Sequence, residues 1–94
     1  MTDMSTGFGR VQLRNPIMTA SGCFGYAKEF HGQVDWSTIG GVVTKGISPE
    51  PREGNPPPRI YETSQGMLNA IGLQNVGSEA FLSEKLPYLS EIDC

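Results

Sequence analysis

Short apolar runs, separated by glycine and proline, predict a series of short β-strands. Val11–Leu13 alternates apolar and polar positions, and Ile17–Ala20 is a second short apolar run. Gly40–Gly46 is rich in β-branched residues and nearly continuous in apolarity. Such a run is typical of a strand buried on both faces of a parallel sheet. Ile60–Thr63 predicts a short edge strand.

Two segments have the composition or spacing of helices. Tyr26–Gln33 places apolar residues on one side and charged residues on the other, although a glycine near its end weakens it. Ser78–Leu86 has leucines at helical spacing and Ser78 as its expected N-cap. Pro87 is expected to kink or end this helix.

The predicted elements follow one another as strand, helix, strand, long loop and helix, which is the start of an alternating α/β protein. The long loop is the proline-rich segment 48–59. Two parallel strands do not form a stable sheet alone, and a closed (β/α)₈ barrel typically needs ~250 residues. We therefore predict that residues 1–94 are the N-terminal portion of a longer enzyme chain. The alternative is a complete small α+β domain.

Composition and charge exclude several classes of function. The formal net charge is −3 and the basic residues are scattered, which argues against a nucleic-acid partner. No run approaches the ~18 apolar residues of a membrane span, and the N-terminus lacks the regions of a secretory signal. Cys23 and Cys94 match no metal or redox spacing, and His31 is the only histidine. The sequence predicts a cytoplasmic protein with reduced thiols and no metal site.

The segment Gly66–Asn75 is the best candidate for ligand binding. It combines two glycines, several apolar side chains and two asparagines. Backbone N–H groups and side-chain amides in an apolar setting suit a small, flat, polar ligand that carries a carboxylate. We expect this segment to be a binding loop rather than a packed helix or strand.

Four polar residues near these elements are further candidates for the site. Ser21 follows a predicted strand, where it either faces a cofactor or belongs to an ordinary turn. Lys45 follows the best predicted strand, and the residues alone leave anion binding and a solvent-exposed lysine about equally supported. Asn69 lies among apolar residues, which favours a ligand contact. Asn75 is more readily explained as an asparagine that satisfies its own backbone.

Four blocks of sequence resemble the dihydroorotate dehydrogenase family, in the order in which that family has them. They are Asn15–Gly22, Val43–Gly46, Pro51–Arg59 and Gly66–Asn75. The last block is similar to the NAD-linked type, class 1B, whose catalytic subunit pairs with an electron-transfer subunit. Val76 departs from the family pattern, because members of the family often have proline directly after the asparagine that corresponds to Asn75.

The resemblance implies a TIM barrel that binds FMN at its C-terminal end. It implies flavin contacts from two strand ends: Ala20, Ser21, Lys45 and Gly46. It implies substrate contacts from Lys45 and from the binding loop: Asn69, Ala70, Ile71, Gly72 and Leu73. The lysine would lie near both the flavin and the substrate carboxylate, and the loop N–H groups would help to hold that carboxylate.

The activity implied is oxidation of dihydroorotate to orotate in pyrimidine biosynthesis, with a hydride passing to FMN and on to NAD through a partner. That partner would carry FAD and a 2Fe–2S cluster, in an assembly of two catalytic and two electron-transfer subunits. The resemblance places the catalytic base, a cysteine, on a mobile loop beyond Cys94, so no catalytic residue is assigned here. The alternatives are a related FMN-barrel dihydropyrimidine oxidoreductase and an inactive truncated fragment.

Overall fold

The computed structural model describes residues 2–94, and its regular sheet consists of two antiparallel hairpins. In the first, β1 (Thr6–Phe8) pairs with β2 (Val11–Leu13). In the second, β3 (Ile60–Thr63) pairs with β4 (Gly66–Asn69). The strands predicted at β2 and β3 are confirmed. The expectation that all of Gly66–Asn75 is a loop is wrong for its first four residues, because the two-residue turn before them folds them back onto β3.

The predicted strands Ile17–Ala20 and Gly40–Gly46 run parallel, side by side, but they form only one regular bridge, between Met18 and Gly41. Beyond that bridge the Thr19 hydroxyl accepts a hydrogen bond from the Val43 N–H at 2.9 Å. A side chain thus replaces the backbone ladder, so the extended pair does not continue as regular strands. The parallel direction predicted from the apolar run is nevertheless present.

The predicted helix Tyr26–Gln33 is wrong in type and length. Only a 3₁₀ turn forms, at Lys28–Phe30. Ala27 precedes it with φ of 72° and ψ of −38°, outside the helical region, so a regular helix cannot begin at Tyr26. A second 3₁₀ turn, Trp36–Thr38, is capped by the carboxylate of Asp35.

The predicted C-terminal helix is confirmed and extends further than expected. It consists of α1 (Gly77–Ala80), a π-helical segment (Phe81–Lys85) and α2 (Leu86–Glu91). Pro87 does not end it, because proline is tolerated in the first turn of α2, where no intrahelical donor is needed. The wider π-helical turn lies directly before it. No helix within residues 2–94 is long and apolar enough to cross a membrane.

Ser78 is not the N-cap of this helix, contrary to the prediction. The Ser78 hydroxyl donates to the Pro49 carbonyl at 3.1 Å. The first helical N–H, from Gly77, is instead accepted by the Asn75 side chain at 2.9 Å. The helix therefore begins where the candidate binding segment ends.

A small aromatic cluster is the nearest approach to a core. Tyr26 is 5% exposed and packs against Phe81 of the C-terminal helix, with ring centroids 5.8 Å apart. Phe24 contacts Phe30 at 4.7 Å and Trp36 at 6.3 Å. Among residues 2–94, no large side chain is fully buried. This cluster fixes the helix against the segment that follows the first extended run.

The chain exposes more surface than a compact domain of its size. Its accessible area is 7026 Å², whereas a folded monomer of this mass exposes about 5300 Å². Its radius of gyration is 15.8 Å, against about 12 Å for a compact chain of this length. Large apolar side chains such as Ile17, Met18 and Leu82 are exposed. These surfaces are of the kind that further structure covers in a complete domain.

We expect the isolated chain of 94 residues to bind the dye ANS and to melt over a broad temperature range, because its apolar surface is not enclosed in a core. Circular dichroism and ANS fluorescence measure the two properties. A sharp cooperative melt without ANS binding would instead support the complete small domain.

Candidate functional site

The parallel extended pair brings Ser21 and Lys45 to the same edge of the fold. Because parallel strands point the same way, the residues that follow them meet at one end. The Ser21 hydroxyl donates to the Thr44 carbonyl at 2.9 Å, which joins the two ends directly. The Lys45 N–H donates to the Gly25 carbonyl at 2.9 Å, so its backbone is fixed while its half-buried side chain remains available. Lys45 has no carboxylate within salt-bridge distance among residues 2–94.

The hairpin β3–β4 gives Asn69 its direction. Side chains alternate between the two faces of a strand, so Met67 and Asn69 share one face while Leu68 lies on the other with its partner Tyr61. The Asn69 side chain is exposed and makes no hydrogen bond among residues 2–94. Its amide therefore retains its full capacity to donate and accept.

Residues 70–73, here called the ligand loop, follow β4 and have an unusual backbone. Gly72 has φ of 81° and Leu73 has φ of 55°. In turns, successive backbone N–H groups can form a concavity that attracts anions. The N–H of Ala70 donates to the Arg59 carbonyl at 2.7 Å. The N–H groups of Ile71, Gly72 and Leu73 have no acceptor within the described chain.

Asn75 is a structural residue, as the residues alone favoured. It is 6% exposed. Its side-chain oxygen accepts from the N–H groups of Ser48 and Gly77, at 3.1 and 2.9 Å. Its nitrogen donates to the Ser48 hydroxyl and to the Leu73 carbonyl, at 2.9 and 2.8 Å. One side chain thus joins the proline-rich segment, the ligand loop and the start of the helix.

Val76, where the resemblance leads one to expect proline, contributes a hydrogen bond. Its N–H donates to the Tyr26 hydroxyl at 3.3 Å. Proline has no N–H and would leave this hydroxyl without that donor. The departure from the family pattern therefore adds a contact between the helix start and the aromatic cluster.

The two strand ends, β4 and the ligand loop enclose one open cavity, which has a volume of about 620 Å³. Its lining includes six of the nine residues predicted for the site: Ser21, Lys45, Gly46, Asn69, Ile71 and Leu73. Three other predicted residues, Ala20, Ala70 and Gly72, do not line it. Ala20 and Ala70 are instead engaged through backbone hydrogen bonds, and Gly72 is turned toward Asn55.

The remaining lining residues, Gly22, Cys23 and Met67, were absent from the predicted site. Met67 could have been predicted from its position two residues before Asn69. In a strand, residues at this spacing lie on the same face, but the prediction requires that residues 66–69 be assigned to a strand. The Cys23 thiol is free and exposed. It lies at the cavity because it follows Ser21 in the same turn.

The electrostatics of the cavity favour an anionic ligand. Lys45 is the single charged residue in the lining, and no described lining residue carries a carboxylate. A second cavity, of about 450 Å³, lies at the start of the helix and includes Glu50, Glu79 and Glu84. Its negative charges oppose anion binding. No cluster of three potential metal ligands is found within residues 2–94.

Comparison with known proteins shows which family the chain belongs to. Residues 4–93 match the family described as dihydroorotate dehydrogenase. The chain is 59% identical over 91 residues to a protein of Pelobacter propionicus named dihydroorotate dehydrogenase B (NAD(+)), catalytic subunit. Proteins with the same name from Geotalea daltonii and Thermodesulfovibrio yellowstonii are 58% and 52% identical.

The matches cover nearly all of this chain but a minority of each relative. They include 97% of the chain and 30% of the protein for the first two relatives, and 99% and 31% for the third. The chain thus spans about 30% of the length of the curated relatives it matches. Since the family match extends over residues 4–93, the chain belongs to the dihydroorotate dehydrogenase family.

Proposed function

We propose that this chain is the N-terminal portion of the catalytic subunit of an NAD-linked dihydroorotate dehydrogenase, which oxidises dihydroorotate to orotate in the cytoplasm. The observation that carries the proposal is the cavity that joins Ser21, Lys45 and Asn69 from three separate segments. The names of the relatives support the NAD-linked type and the existence of a partner subunit. Residues 1–94 then supply the first part of one TIM-barrel domain.

The cavity has the groups that orotate requires. Lys45 lines the cavity and offers a cation. The ligand loop has three N–H groups without an acceptor among the described residues, and two of them belong to lining residues, Ile71 and Leu73, which suits the carboxylate. Asn69 offers an amide for the polar edge of the pyrimidine ring. Met67 and Leu73 contribute apolar surface, which suits a flat ring. In this proposal Lys45, Asn69 and residues 70–73 bind the substrate.

The other wall fits the flavin FMN. At Gly22 a side chain would meet no atom within 4 Å, so a planar group can approach the backbone there. Ala20, Ser21, Lys45 and Gly46 are the residues that would hold FMN on this wall. FMN, when bound, supplies the acceptor for the hydride that dihydroorotate loses. The Lys45 ammonium is placed to stabilise negative charge at this wall.

Oxidation of dihydroorotate releases one proton and one hydride from neighbouring ring carbons. Bound FMN would accept the hydride, and a partner subunit that carries FAD and a 2Fe–2S cluster would pass the electrons on to NAD. The base that takes the proton is assigned to a part of the enzyme outside residues 1–94. Two catalytic and two electron-transfer subunits form the assembly in this proposal. In this proposal, residues 1–94 bind and orient the substrate and FMN, and they do not complete the reaction.

The isolated chain is therefore expected to retain no flavin and to show no turnover, since it supplies two walls of an open cavity and no catalytic base. The measurement is the absorbance of the purified chain near the flavin bands. A purified fragment that stays yellow after gel filtration would contradict the expectation.

In the full-length subunit, Lys45→Ala should weaken orotate binding about tenfold to a hundredfold, because a charge-assisted hydrogen bond to a carboxylate is lost. Titration of the flavin absorbance with orotate measures this affinity. Lys28→Ala, at an exposed lysine outside the cavity, is the matched control. If Lys45→Ala impairs flavin retention and leaves orotate binding intact, a related enzyme acting on carboxylate-free dihydropyrimidines is the better assignment.

Substitution of Asn69 and Asn75 should affect different properties, ligand binding in the first case and stability in the second. In the full-length subunit, Asn75→Ala should lower the free energy of unfolding by about 2–3 kcal/mol, because several buried hydrogen bonds are lost. Asn69→Ala should change stability by less than about 0.5 kcal/mol and weaken orotate binding about tenfold. Thermal melting and orotate titration provide the two readouts. If the two variants were equally stable and bound orotate equally weakly, Asn69 would have no binding role distinct from that of Asn75.

A further inference from the structure

The proline-rich segment 48–59 lies directly behind the ligand loop and binds its carbonyl groups. The Asn55 side chain donates to the Ala70 carbonyl at 2.9 Å. The Asn55 N–H donates to the Ile71 carbonyl at 3.0 Å. The next carbonyl, of Gly72, accepts from Nε of Arg52 at 3.3 Å. Three successive carbonyls of the loop are therefore held from one side.

Because peptide units are planar, these contacts also determine where the free N–H groups of the ligand loop point. The C=O of one residue and the N–H of the next belong to one planar trans unit and point in opposite directions. Fixing the carbonyls of residues 70, 71 and 72 toward the proline-rich segment thus turns the N–H groups of residues 71, 72 and 73 away from it. These are the three N–H groups that have no acceptor among the described residues.

The segment is itself held in place by Arg59. The guanidinium donates to the carbonyls of Asn55 and Glu53, at 2.6 and 2.8 Å, and to the Gln74 side chain at 2.7 Å. One arginine thus folds the segment around itself and attaches it to the residue that follows the ligand loop. Asn55 is consequently presented in one fixed position.

Two glycines allow this close approach. A Cβ at Gly72 would lie 2.7 Å from the Asn55 nitrogen, and a Cβ at Gly54 would lie 2.4 Å from the Ile71 oxygen. Both glycines also have positive φ, of 81° and 79°. Any larger residue at either position would push the ligand loop away from the segment.

We propose that Asn55 and Arg52 are positioning residues that create the carboxylate specificity of the site without touching the substrate. They orient three peptide units so that their N–H groups face the ligand together. This inference rests on the proposed function, because it assigns those N–H groups to the carboxylate of dihydroorotate. Arg59 supports the arrangement by holding Asn55.

The test uses Asn55→Ala in the full-length catalytic subunit with its partner subunit. The N–H groups contact the carboxylate in both the ground state and the transition state, so their disorder should act on binding alone. We expect KM for dihydroorotate to rise about tenfold, kcat to stay within about twofold, and flavin content to be unchanged. The control is Asn15→Ala, which removes two side-chain hydrogen bonds outside the cavity lining, one to the Thr38 carbonyl at 3.1 Å and one from the Ile17 N–H at 2.9 Å.

A second readout separates positioning from a general loss of stability. The ratio of the affinities for orotate and for its carboxamide analogue measures how strongly the site prefers a carboxylate. We expect Asn55→Ala to reduce this ratio and Asn15→Ala to leave it unchanged. If the alanine variant does not fold, Arg52→Lys makes the same test, because it keeps the charge and removes the Nε donor to Gly72.

The outcomes distinguish this inference from the proposed function. If the unmodified enzyme oxidises dihydroorotate and both variants keep its KM and its affinity ratio, the positioning role is wrong and the function stands. If the unmodified enzyme neither binds orotate nor oxidises dihydroorotate, the proposed function fails and this inference fails with it. A fall in kcat at unchanged KM would also overturn the positioning role.

Discussion

The parallel alignment of residues 17–21 with residues 40–44 is the constraint on which the candidate site depends. The Thr19 side chain is buried and accepts from the Val43 N–H, which fixes the register of the two segments. A slip of one residue would reverse the faces of every side chain that follows. Because both segments run in the same direction, Ser21 and Lys45 emerge together at one edge. Neither residue forms a site without the other segment.

A second constraint acts on the opposite wall, where backbone groups rather than side chains provide the binding surface. The proline-rich segment binds the carbonyls of the ligand loop and leaves its N–H groups free. Asn75 then joins the same segment to the loop and to the helix start. The long excursion 48–59, which contains none of the predicted site residues, is thus the scaffold of that wall.

The energetics of the chain agree with the proposal that it is one part of a larger domain. Hydrogen bonds hold the two walls locally, but the described residues bury no large side chain completely. Hydrophobic burial is the main favourable contribution to folding, and here much apolar surface remains open to solvent. The chain also spans about 30% of the relatives' length. A well-defined site on a weakly enclosed scaffold is the expected result.

The sequence by itself determined the family, the strand at β2, the C-terminal helix and most of the cavity residues, because these depend on local pattern and motif order. It did not predict β4, which requires the hairpin turn, or the 3₁₀ turn in place of a helix, which depends on the backbone at Ala27. The resemblance assigned Ala20, Ala70 and Gly72 to flavin or substrate contacts, and these three residues do not line the cavity. Only the tertiary structure decided which peptide groups of the ligand loop are bound and which are free. That choice depends on contacts from Asn55 and Arg52, more than 14 residues away in sequence, and no local pattern encodes such contacts.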